Sequence, residues 1–171
     1  AAEVAARLDE DLGDGLTGRA AVNLAALLHD VAKPETRAEV EGRVRFIGHD
    51  VKGAERAAVI AERWRLSRRA AAVVERLVRH HLRPMHLAQS GPVTRRARHR
   101  FFRDLGDDAG ALLLLALADA AALRGDDPME VWAGEGGRVL RELMAGAADE
   151  RALAAAPPLV PGPPVTAAVP T

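Results

Sequence analysis

Leu24-Ala25-Ala26-Leu27-Leu28-His29-Asp30-Val31-Ala32-Lys33-Pro34 is an apolar run that ends in an imidazole, a carboxylate, a lysine and a proline. Proline disfavours the helical conformation in the residue before it, so the run predicts a helix over about 19–31 that stops short of Pro34. An imidazole beside a carboxylate at the end of a buried helix is costly unless something pairs with both groups. A divalent cation is the usual partner. Three more segments offer ligands of the same kind: Gly48-His49-Asp50, Arg79-His80-His81, and Asp119 within Leu112-Leu-Leu-Leu-Ala-Leu-Ala-Asp-Ala-Ala-Ala-Leu123.

Outward from this run the pattern is helical throughout. The chain opens inside a helical stretch, Ala1-Ala-Glu-Val-Ala-Ala-Arg-Leu8, without an initiator methionine, and reads as N-terminally incomplete. Gly13, Gly15 and Gly18 break that helix. Residues 35–48 read as a loop or short hairpin. A helix follows over about 50–65, with Val51, Ala54, Ala58, Val59 and Ala61 expected on its apolar face. Ser67 suits the N-cap of the next, over about 68–82, and Pro84 is expected to end it. Pro92 fits the first turn of a helix reaching Leu105. Asp107 and Asp108 lie at the positive end of another that runs to Leu123, and Gly125 stops it. A weaker helical region begins at Pro128. The expectation is an all-α bundle of about seven helices over 1–153, followed by a Pro/Ala-rich, disordered tail over 154–171.

Composition narrows the class. The chain has 171 residues, 49% hydrophobic but only 3% aromatic, so one core packed on alanine and leucine is expected. No apolar run approaches the roughly 20 residues of a membrane span, and no signal peptide is visible, so a cytoplasmic location is the default expectation. Cysteine is absent, which leaves nitrogen and oxygen as the metal ligands. Formal net charge is zero, yet the stretch from Arg63 to Arg103 holds twelve arginines and a single acid, Glu75. That asymmetry fits an anionic partner, phosphate or RNA.

Each candidate ligand has its own physical case. A carboxylate at Asp119, among leucine and alanine, needs a cation or a proton. On the helix before Pro84, Ala70, Val74, Leu77, Val78 and His81 share the apolar face, with His80 at its flank. Arg76, Arg79 and Arg83 lie on the opposite side. His49 begins a helix after a glycine, which allows close approach, and Asp50 reads as an N-cap. Lys33 lies a turn beyond His29 and Asp30 and could hold a phosphate. His86 and His99 stand in basic surroundings and read as non-ligands. The expected metal set is His29, Asp30, His49, His80 or His81, and Asp119, with His29, Asp30 and Lys33 as the catalytic group. Arg37, Arg76, Arg79, Arg83, Arg100 and Arg103 are the candidate phosphate or RNA contacts. Such ligands suit Mn, Fe, Co, Ni or Zn, and a less demanding site could take Mg. The chemistry expected of them is metal-assisted phosphoester hydrolysis.

Leu27-Leu-His-Asp-Val-Ala-Lys-Pro34 resembles the signature of the HD phosphohydrolase superfamily. Thr36-Arg37, Gly42-Arg-Val-Arg-Phe-Ile-Gly-His-Asp50, Gly53-Ala54, Leu77-Val-Arg-His-His-Leu-Arg-Pro84, Arg100-Phe-Phe-Arg-Asp-Leu-Gly106 and Leu115-Ala-Leu-Ala-Asp119 are similar to one branch, the HD region of bacterial tRNA nucleotidyltransferases (CCA-adding enzymes) and poly(A) polymerases. The resemblance covers about residues 20–125. It implies His29 and Asp30 as paired ligands, Asp119 as the late aspartate ligand, and His49 with His80 or His81 as intermediate histidines. It implies hydrolysis of cyclic 2′,3′-phosphodiesters, 2′-nucleotides or other phosphomonoesters; in some members the region is scaffold only. Superfamily members usually carry a further histidine upstream of His29, expected here before Ala1. A nucleotidyltransferase head is expected upstream too, since no Gly-Ser loop with an Asp-x-Asp pair is present. This chain alone should not add CCA. Three readings follow: a metal-dependent phosphohydrolase acting on nucleotide or RNA-end phosphates, a non-catalytic RNA-positioning module, and a stand-alone nucleotide phosphohydrolase that does not act on RNA.

Overall fold

The computed structural model describes residues 2–155 and is helical almost throughout. In chain order the elements are α1 (Ala2–Asp9), α2 (Gly18–Leu28), α3 (Lys33–Thr36), β1 (Arg37–Val40), β2 (Arg43–Phe46), α4 (His49–Arg63), α5 (Arg68–His80), α6 (Arg83–Gln89), α7 (Arg95–Leu105), α8 (Ala109–Arg124), α9 (Pro128–Ala133) and α10 (Arg138–Ala155). Seven of these helices have eight residues or more, as the all-α expectation required. Helix α10 runs to Ala155, two residues into the expected tail, and the rest of that tail lies outside the described residues.

Local chemistry accounts for the helix starts. Thr17, Ser67 and Thr94 each accept a hydrogen bond from the backbone N–H three residues on, satisfying a donor that the first turn leaves unpaired. The Ser67 hydroxyl also donates to the Leu12 carbonyl at 2.5 Å, tying α5 to the turn after α1. The helices before Pro34 and Pro84 stop short of them, as expected, at Leu28 and His80. Pro34 and Pro84 open the short helices α3 and α6, because a proline in the first turn gives up only an N–H that has no helical partner. Pro92 stands outside α7, which begins at Arg95 under its Thr94 cap. Residues 37–46 form an antiparallel hairpin in which Arg37 pairs with Phe46 and Val40 with Arg43.

The core is built from two kinds of contact. Phe101, Leu105, Leu112, Leu115 and Leu143 bury fully where α7, α8 and α10 meet. Against them α2, α4 and α5 pack through a seam of alanines, with Ala21, Ala25, Ala54, Ala57 and Ala70 wholly inaccessible. Small side chains let backbones come close, and Gly53 takes this furthest. A Cβ there would stand 3.2 Å from Val78 Cγ1 and 3.5 Å from the His29 carbonyl oxygen. The buried face of α4 is therefore His49, Gly53, Ala54, Ala57 and Ala61. Val51 and Val59, expected inside, are exposed, because the residues that can enter this tight seam are the small ones. The close approach of α2, α4 and α5 brings three histidines to one place.

Candidate metal centre

His29 follows the last residue of α2, and His81 follows the last residue of α5. Both imidazoles therefore lie at the carbonyl ends of helices, where the partial negative charge of the helix dipole favours a cation. His49 is the first residue of α4, behind Gly48, whose φ of 77° is a conformation that glycine adopts without cost. Asp30 follows His29 directly, and Asp119 projects from the middle of α8.

All three histidines are oriented the same way. The Nδ1 of His29 lies 2.8 Å from the Ala26 carbonyl, that of His49 is 2.7 Å from the Phe46 carbonyl, and that of His81 is 2.7 Å from the Val78 carbonyl. A carbonyl can only accept, so each Nδ1 donates its proton there, and a lone pair is left on Nε2 whenever the ring is uncharged. The Nε2 atoms converge. His49 Nε2 and His81 Nε2 stand 3.2 Å apart. Asp30 Oδ1 is 3.4 Å from His49 Nε2 and 3.9 Å from His81 Nε2. His29 Nε2 is 3.3 Å from Asp30 Oδ2 and 3.4 Å from Asp119 Oδ1. Donor atoms of Asp30, His49 and His81 all fall within 4.8 Å of one another.

Two nitrogen lone pairs facing each other beside two carboxylates form an acceptor-only nest. It needs a positive charge, and a divalent ion with nitrogen and oxygen ligands fits the donor set. The backbone carbonyls act as the outer partners that fix ring orientation in metal-ligating histidines. Without an ion, protons serve. The hydrogen bond to Asp119 raises the His29 pKa against its partial burial, and the same bond lowers that of Asp119. Burial pushes His81 the other way, keeping it neutral, with His29 and His49 adding repulsion.

The other sequence candidates are placed as follows. His80 is not brought into this group. Burial and then Arg83 lower its pKa, and it points to the arginine-rich side of α5 rather than to Asp30. Asp50 lies in the first turn of α4 but makes no capping bond, because Gly48 occupies the N-cap. Lys33 joins the rim, its Nζ 2.6 Å from Asp30 Oδ2 and 5.6 Å from the centroid of the Phe46 ring.

Several of the candidate phosphate contacts are taken up internally. Arg76 binds Asp108 at 2.5 Å, Arg79 binds Glu75 at 3.1 Å, and Arg83 binds Asp104 at 3.0 Å. Arg103 also binds Asp104, at 2.7 Å. Arg37 lies on the exposed hairpin, and Arg100 is exposed on α7 without an ion pair among the described residues. The sequence reading missed Asp104 and Asp108 as partners of these arginines, since Asp108 reads equally well as a solvent-exposed acid at a helix start. In fact it is 1% exposed and held by Arg7 from α1 as well as by Arg76.

The relationships of the chain agree with this site. The family model described as HD domain matches residues 1–122. A CC-adding tRNA nucleotidyltransferase of Thermus thermophilus is 40% identical over 112 residues, 64% of this chain and 24% of that protein. An A-adding tRNA nucleotidyltransferase of Deinococcus radiodurans is 40% identical over 144 residues, 81% of this chain and 30% of that protein. The chain thus spans less than a third of the length of these relatives. No helix among the described residues is long and apolar enough to cross a membrane. With the matched region covering all five converging ligands, the chain belongs to the HD domain family.

Proposed function

We propose that this domain is a divalent-metal-dependent phosphohydrolase acting on nucleotide or RNA-end phosphates, within a protein of the CCA-adding type that also carries a nucleotidyltransferase head. The observation behind the reading is the convergence of three imidazole Nε2 atoms with the carboxylates of Asp30 and Asp119. His29, Asp30, His49, His81 and Asp119 would hold the ion. A bound divalent ion polarises a phosphoryl oxygen and acidifies water. The chain's own residues do the rest. Lys33, at the rim, offers its ammonium to a phosphate oxygen once it leaves Asp30. The fixed Nδ1 bonds to Ala26, Phe46 and Val78 keep the rings from turning as substrate enters. The carboxylates of Asp30 and Asp119, 36% and 33% exposed, leave an open side for the phosphate, while His49 and His81 are buried behind it.

The test pairs elemental analysis with hydrolysis of p-nitrophenyl phosphate and bis-p-nitrophenyl phosphate, in the parent and in His29→Ala and Asp30→Ala. Stoichiometric metal and activity in the parent, both lost in the variants, is the expected result. Metal without activity on either ester, or no metal after Mn or Ni is supplied, would overturn it. A second reading, a helical module that positions RNA, draws on the exposed arginines of α7. Arg95, Arg96 and Arg100 have no acidic partner among the described residues. Under that reading tRNA binding weakens steeply with salt and survives loss of the metal ligands.

A further inference from the structure

Residues 37–46 project from the fold as a hairpin that the core does not hold. Every residue of β1 and β2 is exposed apart from the half-buried Phe46. No hydrophobic side chain between 33 and 48 belongs to the core cluster or packs against it. Strands of four residues, paired once, are marginal on their own in water. Order comes from the two ends. At the tip, Glu41 and Gly42 both have positive φ, 53° and 70°, the two-residue turn whose twist matches paired strands, so the hairpin is a rigid unit. At the root it is spliced between two ligand-bearing segments. Thr36 Oγ1 donates to the Ala32 carbonyl at 2.8 Å, and the Phe46 carbonyl accepts from His49 Nδ1. The Phe46 ring lies beside the ammonium of Lys33, which is itself on Asp30. The flanking positions are Arg37, at the C-cap of α3, and Gly48, left-handed before α4. Both are element ends, the kind of position that serves as a hinge.

The strand register decides which face turns to the metal centre. Directly opposed residues share a face, so Arg37 and Phe46 lie together, with Glu39 and Val44 next along. Ala38, Val40, Arg43 and Arg45 lie on the reverse. Because the Phe46 ring meets Lys33, its face is the one on the side of the site. Arg37 stands four residues after Lys33, at the hinge end of that face, and has no acidic partner among the described residues. Val44 on the same face is 45% exposed, and Val31, beside Asp30, is 38% exposed, so apolar surface is left in water on both sides of the mouth.

We propose that residues 37–46 are a flap that closes over the metal centre when an oxyanion is held there, with Arg37 meeting the anion. The proposal rests on the phosphohydrolase reading above, and the exposed hairpin described here is its open state. A ligand shifts such an equilibrium only through contacts it makes better in one state than in the other. Arg37 supplies that contact, a charge-assisted bond made in the closed state alone. Closure also takes Val31 and Val44 out of water and expels solvent from the open side of the site. Closing an empty site would bring Glu39 toward Asp30 and Asp119, like charges that favour the open state.

The experiment is hydrogen–deuterium exchange of the full chain, supplied with Mn, with and without inorganic phosphate. Phosphate affinity by calorimetry and metal content are measured alongside. The variants are Arg37→Ala, Arg37→Lys and, on the reverse face, Arg45→Ala. All three positions are exposed, and exchange without phosphate shows directly whether a substitution undoes the hairpin. In the parent and in Arg45→Ala, phosphate is expected to slow exchange of the hairpin amides roughly fivefold. In Arg37→Ala that slowing is lost and phosphate affinity falls about tenfold, with metal content unchanged. Arg37→Lys, which keeps the charge, recovers part of both. Slowing that survives Arg37→Ala, or is lost equally in Arg45→Ala, would overturn the assignment. Phosphate bound by the parent without slower hairpin exchange would overturn the flap and leave the phosphohydrolase reading standing. A parent that takes up neither metal nor phosphate would overturn both.

Discussion

At the scale of single residues, the site is decided by which nitrogen of each imidazole holds the proton. Because Ala26, Phe46 and Val78 take the Nδ1 protons, the Nε2 atoms compete only for a cation or a further proton. This gives a pH dependence with a definite sign. Protons and metal contend for the same lone pairs, so metal affinity falls as pH falls. His29 has a raised pKa, through its bond to Asp119, so the decline begins above the usual imidazole pKa of about 6.5. His81, lowered by burial, holds no proton there and takes no part in that first decline. Titrating metal binding between neutral and mildly acidic pH checks this; a decline confined to below pH 6 would contradict it. In the metal-free protein, Asp119→Asn is expected to bring the His29 pKa down, readable from the imidazole proton shifts in NMR. The same variant should lose most metal binding.

At the scale of elements, ion pairs that read from the sequence as a surface belong to packing. Asp108, the residue before α8, is clamped by Arg7 of α1 at 2.6 Å and Arg76 of α5 at 2.5 Å, joining three helices around one buried carboxylate. Arg7 is only 16% exposed, and its removal uncovers a buried charge, so Arg7→Ala should cost about 3 kcal/mol in urea unfolding. Arg76 is 41% exposed and partly screened by water, so Arg76→Ala should cost about 1 kcal/mol and leave RNA binding almost unchanged. Ser67→Ala should cost roughly 1–2 kcal/mol, since the hydroxyl both caps α5 and pairs with the Leu12 carbonyl. These pairs mark the limit of what could be read from the sequence. The His29-Asp30 pair, the inward face of His81 and the helix at Asp119 are local patterns, visible in spacing. Asp108 with Arg7 is a contact across 101 residues, which no local pattern reveals. The role of Pro34 and Pro84 was ambiguous because proline both ends and begins helices, and only the neighbouring packing decides which. The face of α4 was misjudged for a related reason: hydrophobicity favours Val51 and Val59, whereas beyond His49 the seam is filled by alanine and glycine.

At the scale of the whole molecule, charge and function are less tightly linked than the arginine count suggests. Glu75, Asp104 and Asp108 occupy Arg76, Arg79, Arg83 and Arg103, while Arg95, Arg96 and Arg100 make α7 one exposed basic face. If that face carries RNA, Arg95→Ala with Arg96→Ala should weaken tRNA binding and flatten its salt dependence, while Arg79→Ala should do neither. A filter-binding series in increasing salt distinguishes them. The ligand set itself has one more consequence. His29, His49, His81 and Asp119 come from α2, α4, α5 and α8, so an ion held by them cross-links four helices spread over most of the described chain. The unfolded chain cannot gather these groups, so occupancy is drawn from the folded state alone. Metal at about a thousand times its dissociation constant would then add about 4 kcal/mol to folding stability. A chelator should then lower the melting temperature of the protein whether or not it hydrolyses any ester, because a bound ion would rivet the helices together independently of any chemistry.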